Sequence, residues 1–226
     1  KAEAPSASGP VTLSWSKAAA DVTGYRVYRY DATEDKYVYL KSTKSRSYSD
    51  EDVRSGKTYQ YRVRCYWTIG GTNYYGNYSS VVSVTTPPAK VSSVNTAKKS
   101  STYLTLSWKK VSGASGYRVY KYNAKTKAYE KVTTIASGST TSYKVTGLAS
   151  ATEYQFKVRA YKKAEDGNVW GSSSVVYKES TNPSKTKNLK LSTKSSAVTL
   201  SWSKVARSSG YAVYRYDSKT KKYVRI

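Results

Sequence analysis

Histidine and methionine are absent from the 226-residue sequence, and cysteine and phenylalanine occur once each. Without an imidazole, no Ser-His-Asp or Cys-His catalytic arrangement and no histidine metal site can form. The single cysteine, Cys65, permits neither an intrachain disulfide nor a thiolate zinc cluster, and we expect it to be a small buried residue. No apolar run approaches 18 residues, so neither a transmembrane helix nor membrane insertion is expected.

Acidic residues are also scarce. The sequence has 14 Asp and Glu and 39 Lys and Arg, which gives a formal charge of +25. The only dense acidic cluster is Asp50-Glu51-Asp52, which lacks the ligand spacing of a calcium loop. We expect it to be a solvated turn. No glycine-rich phosphate loop occurs. The sequence therefore predicts no catalytic residues, no metal and no cofactor, and hence a protein that is not an enzyme.

Three sequence signatures recur at a spacing of 92–95 residues, which is the size of a small domain. Leu-Ser-Trp triplets end at Trp15, Trp108 and Trp202. Gly-Tyr-X-Val-Tyr segments occupy residues 24–30, 116–122 and 210–216. A third signature occurs at 59–66 and 154–161. The recurrences predict tandem domains.

Within each unit apolar residues alternate with polar ones, which is the pattern of a strand with one buried face. In the segment 154–161, Tyr154, Phe156, Val158 and Ala160 are predicted to point inward, and Tyr161 with the residues between to point outward. About seven such strands separated by turns predict a two-sheet antiparallel sandwich. The predicted fold class is all-β.

The second unit resembles a fibronectin type III domain over its whole length. Trp108 matches the buried tryptophan of strand B in that family. Leu148 and Tyr154 match its tyrosine corner, which ties the turn between strands E and F to strand F. Val53 and Tyr59 repeat that spacing in the first unit. The resemblance implies tandem immunoglobulin-like sandwiches, of the style found in secreted or wall-attached proteins of Gram-positive bacteria.

The predicted domains are 1–87, with most of strand A missing, a complete domain at 88–182, and the N-terminal half of a third at 183–226. Prolines at the joints, Pro88 and Pro183, restrict the backbone and predict short, stiff connections. Because the outer units are incomplete and no initiator methionine occurs, we expect the chain to continue past both ends. The lysine-rich segment 185–190 is predicted to be an edge strand.

Aromatic residues fall into two predicted groups. The first group is predicted to lie in the core and to be structural. It contains Trp15, Trp108, Trp202, Tyr59 and Tyr154, and Leu148 of the tyrosine corner has the same predicted role. Those placed on the hairpin between strands F and G are candidates for stacking on a ligand, namely Trp67, Tyr74, Tyr75, Tyr78 and Trp170. Packing within the protein is the alternative role of the second group.

A second candidate surface joins basic and aromatic residues on the outward face of strands C and F. Its predicted members in the first unit are Arg26, Tyr28, Tyr30, Arg62, Arg64 and Tyr66, and Arg159 belongs to the corresponding face of the second. Such a face could hold an acidic polymer. The charge is spread over every unit, however, so we expect a solvated face on which polyanion binding is weak and lost at moderate salt.

The sequence therefore favours a non-enzymatic, extracellular spacer in a longer secreted or cell-surface protein. The alternatives are a module that binds glycans or anionic wall polymers, and an accessory segment of a multidomain hydrolase. Expected partners are the other domains of the same chain, with glycans or wall polymers as a further option, and nucleic acid is not expected.

Overall fold

The computed structural model describes residues 1–5 and 9–226, and every regular element in these ranges is a β-strand, which confirms the all-β class. Eight strands lie in the first repeat: β1 (Ala2–Glu3), β2 (Val11–Ser14), β3 (Gly24–Asp31), β4 (Lys36–Thr43), β5 (Ser47–Asp50), β6 (Thr58–Ile69), β7 (Thr72–Tyr75) and β8 (Val82–Thr85). Eight lie in the second: β9 (Asn95–Lys99), β10 (Leu104–Ser107), β11 (Gly116–Asn123), β12 (Ala128–Ile135), β13 (Ser142–Val145), β14 (Glu153–Ala164), β15 (Gly167–Trp170) and β16 (Tyr177–Ser180). The third repeat contains β17 (Lys190–Lys194), β18 (Ala197–Ser201), β19 (Tyr214–Asp217) and β20 (Lys222–Arg225).

The first repeat is a two-sheet antiparallel sandwich. One sheet has the order β1-β2-β5, and the other has the order β4-β3-β6-β7, with β8 also paired to β6. Val11 and Leu13 of the first sheet and Val27, Tyr61 and Val84 of the second form one buried cluster. Alternating apolar residues in both sheets therefore meet in a common core, as period two requires.

The second repeat has the same strand pairings, with β9-β10-β13 in one sheet and β12-β11-β14-β15 in the other, and β16 also pairs with β14. By its internal contacts the chain divides into two compact groups of residues, which differ from the repeats. One group holds 1–94, 108–141 and 156–176, and the other holds 95–107, 142–155 and 177–226. In the former group Phe156, Val158 and Ala160 are buried, as the alternation predicts, and in the latter Leu104 and Leu106 are buried.

Two tyrosines that were predicted to point into solvent are instead 6% exposed, and the prediction was wrong for both. The ring of Tyr161 packs on Trp170 of the neighbouring strand β15, with 4.9 Å between ring centroids. Tyr28 is covered by Tyr39 and Tyr78, at 6.0 and 5.2 Å. Large rings on a sheet face bury one another even where the alternation places them on the outer side.

The recurring tryptophan and Gly-Tyr signatures form one contact that occurs in each repeat. The tryptophan and tyrosine rings meet edge to face at centroid distances of 5.6, 5.4 and 5.2 Å, in the pairs Trp15–Tyr25, Trp108–Tyr117 and Trp202–Tyr211. Each tyrosine hydroxyl also accepts a backbone N–H, from Ala18, Val111 and Val205 respectively. The two signatures therefore recur together because they pack against each other.

The tyrosine corner links a turn to the following strand in the first two repeats. The Tyr154 hydroxyl accepts the backbone N–H of Ala149 at 2.8 Å, and that of Tyr59 accepts the N–H of Arg54 at 2.7 Å. Leu148, next to Ala149, is buried, and its own N–H donates to the carbonyl oxygen of Thr102. One hydroxyl thus fixes the start of each long central strand.

Removing the Tyr154 hydroxyl with Tyr154→Phe is expected to lower the free energy of unfolding by about 1 kcal/mol, because the Ala149 N–H loses its acceptor. The matched control is Tyr122→Phe, which removes a hydroxyl but keeps the ring contact with Tyr129 at 5.3 Å. This control should change stability by less than about 0.5 kcal/mol. Urea denaturation of the full chain measures both, and the reverse ranking would contradict the assigned role.

Three further predictions need correction. The segment 185–190 was predicted to be a strand, but β17 begins only at Lys190. Cys65 is partly rather than fully buried. In the third repeat the strand predicted for 210–216 is confined to Tyr214–Asp217, because β19 pairs only with β20 among the described residues. Tyr211 consequently remains 41% exposed.

Candidate functional site

The outer face of the first repeat's larger sheet brings basic and aromatic side chains together. Strand β6 places Arg64 opposite Arg26 and Arg62 opposite Tyr28 of β3. The hairpin from β6 to β7 turns at Gly70 and Gly71, whose φ values of 56° and 83° suit glycine. We call this surface the arginine–tyrosine face, and its members are Arg26, Arg62, Arg64, Tyr28, Tyr37, Tyr39, Tyr66, Tyr75 and Tyr78.

Each of the three guanidinium groups lies over tyrosine rings, at the distances of cation–π contacts. Arg62 is 3.7 Å from the ring centroid of Tyr78 and 4.1 Å from that of Tyr37. Arg64 is 4.0 Å from Tyr75 and 4.6 Å from Tyr78. Arg26 completes the set at 4.6 Å from Tyr75 and 5.3 Å from Tyr39. Arginines and tyrosines therefore alternate across the face.

The three arginines of this face differ in the hydrogen bonds that their side chains make. Arg64 donates from Nε and Nη2 to the Tyr28 hydroxyl, at 3.1 and 2.9 Å. The Nε atoms of Arg26 and Arg62 are enclosed and have no hydrogen-bond partner within residues 1–5 and 9–226. Among the described residues, the ion pairs involve other cations and none of these three. The positive charges of Arg26, Arg62 and Arg64 therefore lie close together, and no carboxylate of the described residues forms an ion pair with them.

The second repeat has a related face with a different arrangement. Arg118 and Arg159 both lie on Trp170, at 4.1 and 5.6 Å, and Lys157 lies 4.1 Å from the ring of Tyr129. The Nε of Arg118 donates to Thr134, and that of Arg159 donates to the carbonyl oxygen of Gly171. Its guanidinium groups are therefore held by acceptors within the protein.

The structure separates the aromatic residues that were predicted together on the first hairpin. Tyr75 and Tyr78 join the arginine–tyrosine face, whereas Trp67 and Tyr74 form the next cross-strand pair along the ladder and so point to the opposite side. The Trp67 indole donates to the carbonyl oxygen of Asp21 at 2.7 Å. Tyr74 remains 55% exposed.

Two members of the face, Tyr37 and Tyr39, were missed by the sequence analysis. Both lie on β4, where Tyr39 is opposite Tyr28 and Tyr37 is opposite Tyr30. Their spacing of two residues is the signal that would have found them, because it places both rings on one side of the strand.

The acidic cluster was also misjudged, because Asp50 is only 2% exposed. Its carboxylate accepts hydrogen bonds from Arg29 at 2.7 Å, the Tyr61 hydroxyl at 2.8 Å and the backbone N–H of Asp52 at 3.1 Å. Burial and the hydrogen bond to Asp50 raise the pKa of Tyr61 above its usual value. Glu51 and Asp52 are exposed, as expected. The three hydrogen bonds that it accepts give the Asp50 carboxylate a structural role. No group of three metal-ligating side chains occurs in the described part of the chain.

Residues 87–176 match the family model of the Fibronectin type III domain. This part of the chain belongs to the fibronectin type III family. A two-domain fibronectin type III segment of chicken tenascin superposes with a TM-score of 0.53 at 16% identity, covering 80% of this chain and 97% of that segment. This likeness shows the fold, a tandem array of fibronectin type III sandwiches.

Two other similarities involve longer proteins. The FN1–FN3 domains of chicken CNTN1 align with a TM-score of 0.40 at 18% identity, over 97% of this chain and 81% of that one. Exoglucanase B of Cellulomonas fimi is 30% identical over 184 residues. That match covers 76% of this chain and 16% of the relative, so the chain spans about a sixth of the relative's length.

Proposed function

We propose that the chain is a non-catalytic spacer that separates functional domains of a longer extracellular protein. Fibronectin type III domains are in general non-catalytic modules, and a module of this family is what residues 87–176 form. The similarity to part of Exoglucanase B supports a place beside the catalytic domain of a glycan hydrolase. In the described residues, no helix is long and apolar enough to cross a membrane.

The observation that carries the proposal is a threonine anchor at the end of each of the first two repeats. The side-chain oxygen of Thr86 accepts the N–H of Lys57 at 3.0 Å and donates to the carbonyl oxygen of Arg54 at 2.7 Å. Thr86 is 2% exposed, and Gly56 also donates its N–H to the carbonyl oxygen of Pro87. The last residues of the first repeat are therefore fastened to its own body.

The second repeat has the same anchor. The Thr181 side chain accepts the N–H of Thr152 at 3.1 Å and donates to the carbonyl oxygen of Ala149 at 2.6 Å. Both anchors hold the turn that also carries the tyrosine corner. A spacer requires the chain to leave each domain in a fixed direction. A buried, doubly bonded threonine, followed by proline at once after Thr86 and one residue later after Thr181, provides that restraint.

Replacing Thr86 with valine is expected to loosen the first joint, because valine keeps the shape of threonine but cannot accept the Lys57 N–H. Spin labels on Glu34→Cys and Lys125→Cys, in exposed turns of the first two repeats, report the distance between them by pulsed electron paramagnetic resonance. Cys65→Ala removes the native thiol and installs the residue found at the equivalent position, Ala160. The distance distribution should be narrow with Thr86 and clearly broader with Thr86→Val.

The matched control is Thr72→Val, an identical change at an exposed strand position, which should leave the distribution unchanged. A broad distribution in the protein with Thr86 intact, as wide as that of a flexible Gly/Ser chain of equal length, would contradict the spacer function.

A further inference from the structure

We propose that the arginine–tyrosine face of the first repeat binds a linear, hydroxyl-rich polymer that carries oxyanion groups, either phosphate or carboxylate. This proposal goes beyond the spacer function, which does not need a ligand. Its basis is the combination of three uncompensated guanidinium groups, the orientation of the rings that cover them, and the loss of this combination in the second repeat.

The first step concerns charge. Arg26 and Arg64 are directly opposite each other on neighbouring antiparallel strands, where Cβ atoms are about 4.5–5.5 Å apart and like charges repel. Arg62 is two residues from Arg64, about 7 Å along the strand. All three side chains are partly buried, which weakens solvent screening of their repulsion. An anionic group bound between the three side chains would offset this repulsion.

The second step concerns hydrogen-bond donors. A guanidinium carries five N–H donors in a planar fork that matches carboxylate and phosphate oxygens. Each guanidinium carbon lies within 5 Å of a tyrosine ring centroid, at 4.6 Å for Arg26, 3.7 Å for Arg62 and 4.0 Å for Arg64, and the Tyr28 hydroxyl accepts two N–H groups of Arg64. These rings restrict the movement of the three groups, whose other N–H donors can bind a ligand. Fixed donors bind an oxyanion with less loss of side-chain entropy.

The third step decides the class of ligand. The ring of Tyr78 has Arg62 and Arg64 over it, and that of Tyr75 has Arg26 and Arg64. Tyr28 meets Tyr39 and Tyr78 edge to face, at interplanar angles of 70° and 81°. Flat ring faces, which single-stranded nucleic acid needs for stacking its bases, are therefore largely taken. Tyr39, Tyr75 and Tyr78 remain exposed, and their hydroxyl groups can hydrogen-bond to the hydroxyls of a polyol or sugar chain.

The fourth step is the comparison with the second repeat. The cross-strand registers place Lys131 where the first repeat has Tyr39, and Lys157 where it has Arg62. Equivalent backbone hydrogen bonds at Ser79 and Ser174 place Ser173 where the first repeat has Tyr78. The second repeat also satisfies its two arginine Nε atoms internally. The complete arrangement is thus a property of the first repeat and not of the fold.

The test measures binding of the full chain to poly(glycerol phosphate) and to polygalacturonate by titration calorimetry in 0.2 M NaCl. We expect saturable binding to at least one of them, and the preferred polymer identifies phosphate or carboxylate as the recognised group. Arg62→Gln combined with Arg64→Gln should weaken that binding at least about tenfold, because two charge-assisted contacts are lost. The control, Lys44→Gln with Arg46→Gln, removes the same charge from exposed positions elsewhere on the repeat and should weaken binding no more than about twofold.

Thermal denaturation shows whether the double arginine variant folds. If it does not, Tyr78→Ser gives the answer, since it keeps every charge and installs the residue of the second repeat. This change should also weaken binding, by about threefold or more. Equal losses for the two charge variants, no binding in 0.2 M NaCl, or no effect of Tyr78→Ser in a folded protein would each overturn the proposal. So would tighter binding of oligo(dT) than of both polymers, which would identify a nucleic-acid surface.

Discussion

Replacing Asp50 with alanine is expected to lower the free energy of unfolding of the first repeat by about 3–5 kcal/mol. The change leaves the Arg29 guanidinium, whose side chain is 18% exposed, without its 2.7 Å ion pair. It also leaves the Tyr61 hydroxyl, at a residue 1% exposed, without its acceptor. Arg29 keeps its contacts with the carbonyl oxygen and the carboxylate of Asp52, at 2.8 and 3.3 Å. The effect is nevertheless large, because the shorter ion pair and the acceptor of a buried hydroxyl are lost together. Denaturant melts of the full chain, followed by tryptophan fluorescence, measure it.

The second repeat supplies the matched control. Its residues at the positions of Arg29, Asp50 and Tyr61 are Lys121, Val145 and Phe156, as the cross-strand registers show. The triple variant Arg29→Lys, Asp50→Val, Tyr61→Phe should therefore recover most of the stability. The buried carboxylate and hydroxyl are replaced together by apolar side chains, and the flexible lysine can extend its charge to solvent. If the triple variant is as unstable as Asp50→Ala, the three residues do not act as one group.

Gly116→Ala is expected to destabilise the second repeat by about 3 kcal/mol or more. An added Cβ would lie 2.1 Å from the carbonyl oxygen of Ile135 and 2.7 Å from the ring of Tyr161. The first of these atoms belongs to the backbone of the paired strand β12, which can move only if the β11–β12 ladder is distorted. The midpoint of urea denaturation should fall accordingly.

The equivalent glycine of the third repeat serves as the control for this prediction. Apart from Gly210 and its two chain neighbours, no heavy atom of the described residues lies within 4 Å of the position that a Cβ of residue 210 would take. Gly210→Ala should therefore leave the denaturation midpoint unchanged within about 0.5 kcal/mol. A tolerated Gly116→Ala would mean that strands β11 and β12 are further apart than their backbone positions indicate.

Features repeated along the chain were predictable from the sequence, because each repeat places the same residues on the same side of a strand. The alternation identified Phe156, Val158 and Ala160 as core residues, and the Leu-Ser-Trp and Gly-Tyr signatures identified equivalent strands. The face formed by Arg26, Arg62 and Arg64 could also be predicted, since it needs only period two and the pairing of neighbouring strands.

Features that depend on side-chain contacts between strands were not predictable in this way. Tyr28 and Tyr161 are buried by rings on adjacent strands, and the alternation within one strand carries no information about them. Asp50 looked like part of a solvated turn, because its partners Arg29 and Tyr61 are 21 and 11 residues away. Comparison of the repeats position by position would have indicated the group, since all three residues change together in the second repeat.

The first two repeats have different buried residues, and this difference affects how neighbouring repeats fold. Neighbouring domains with nearly the same strands can exchange those strands while they fold, and misassembly of this kind is characteristic of repeat proteins. If β5 entered the second repeat, it would carry Asp50 to the buried position of Val145, away from Arg29 and Tyr61. The buried carboxylate would then lack its ion pair, so the exchanged form would be strongly disfavoured. The polar group formed by Arg29, Asp50 and Tyr61 therefore disfavours the exchange of β5 between the two repeats.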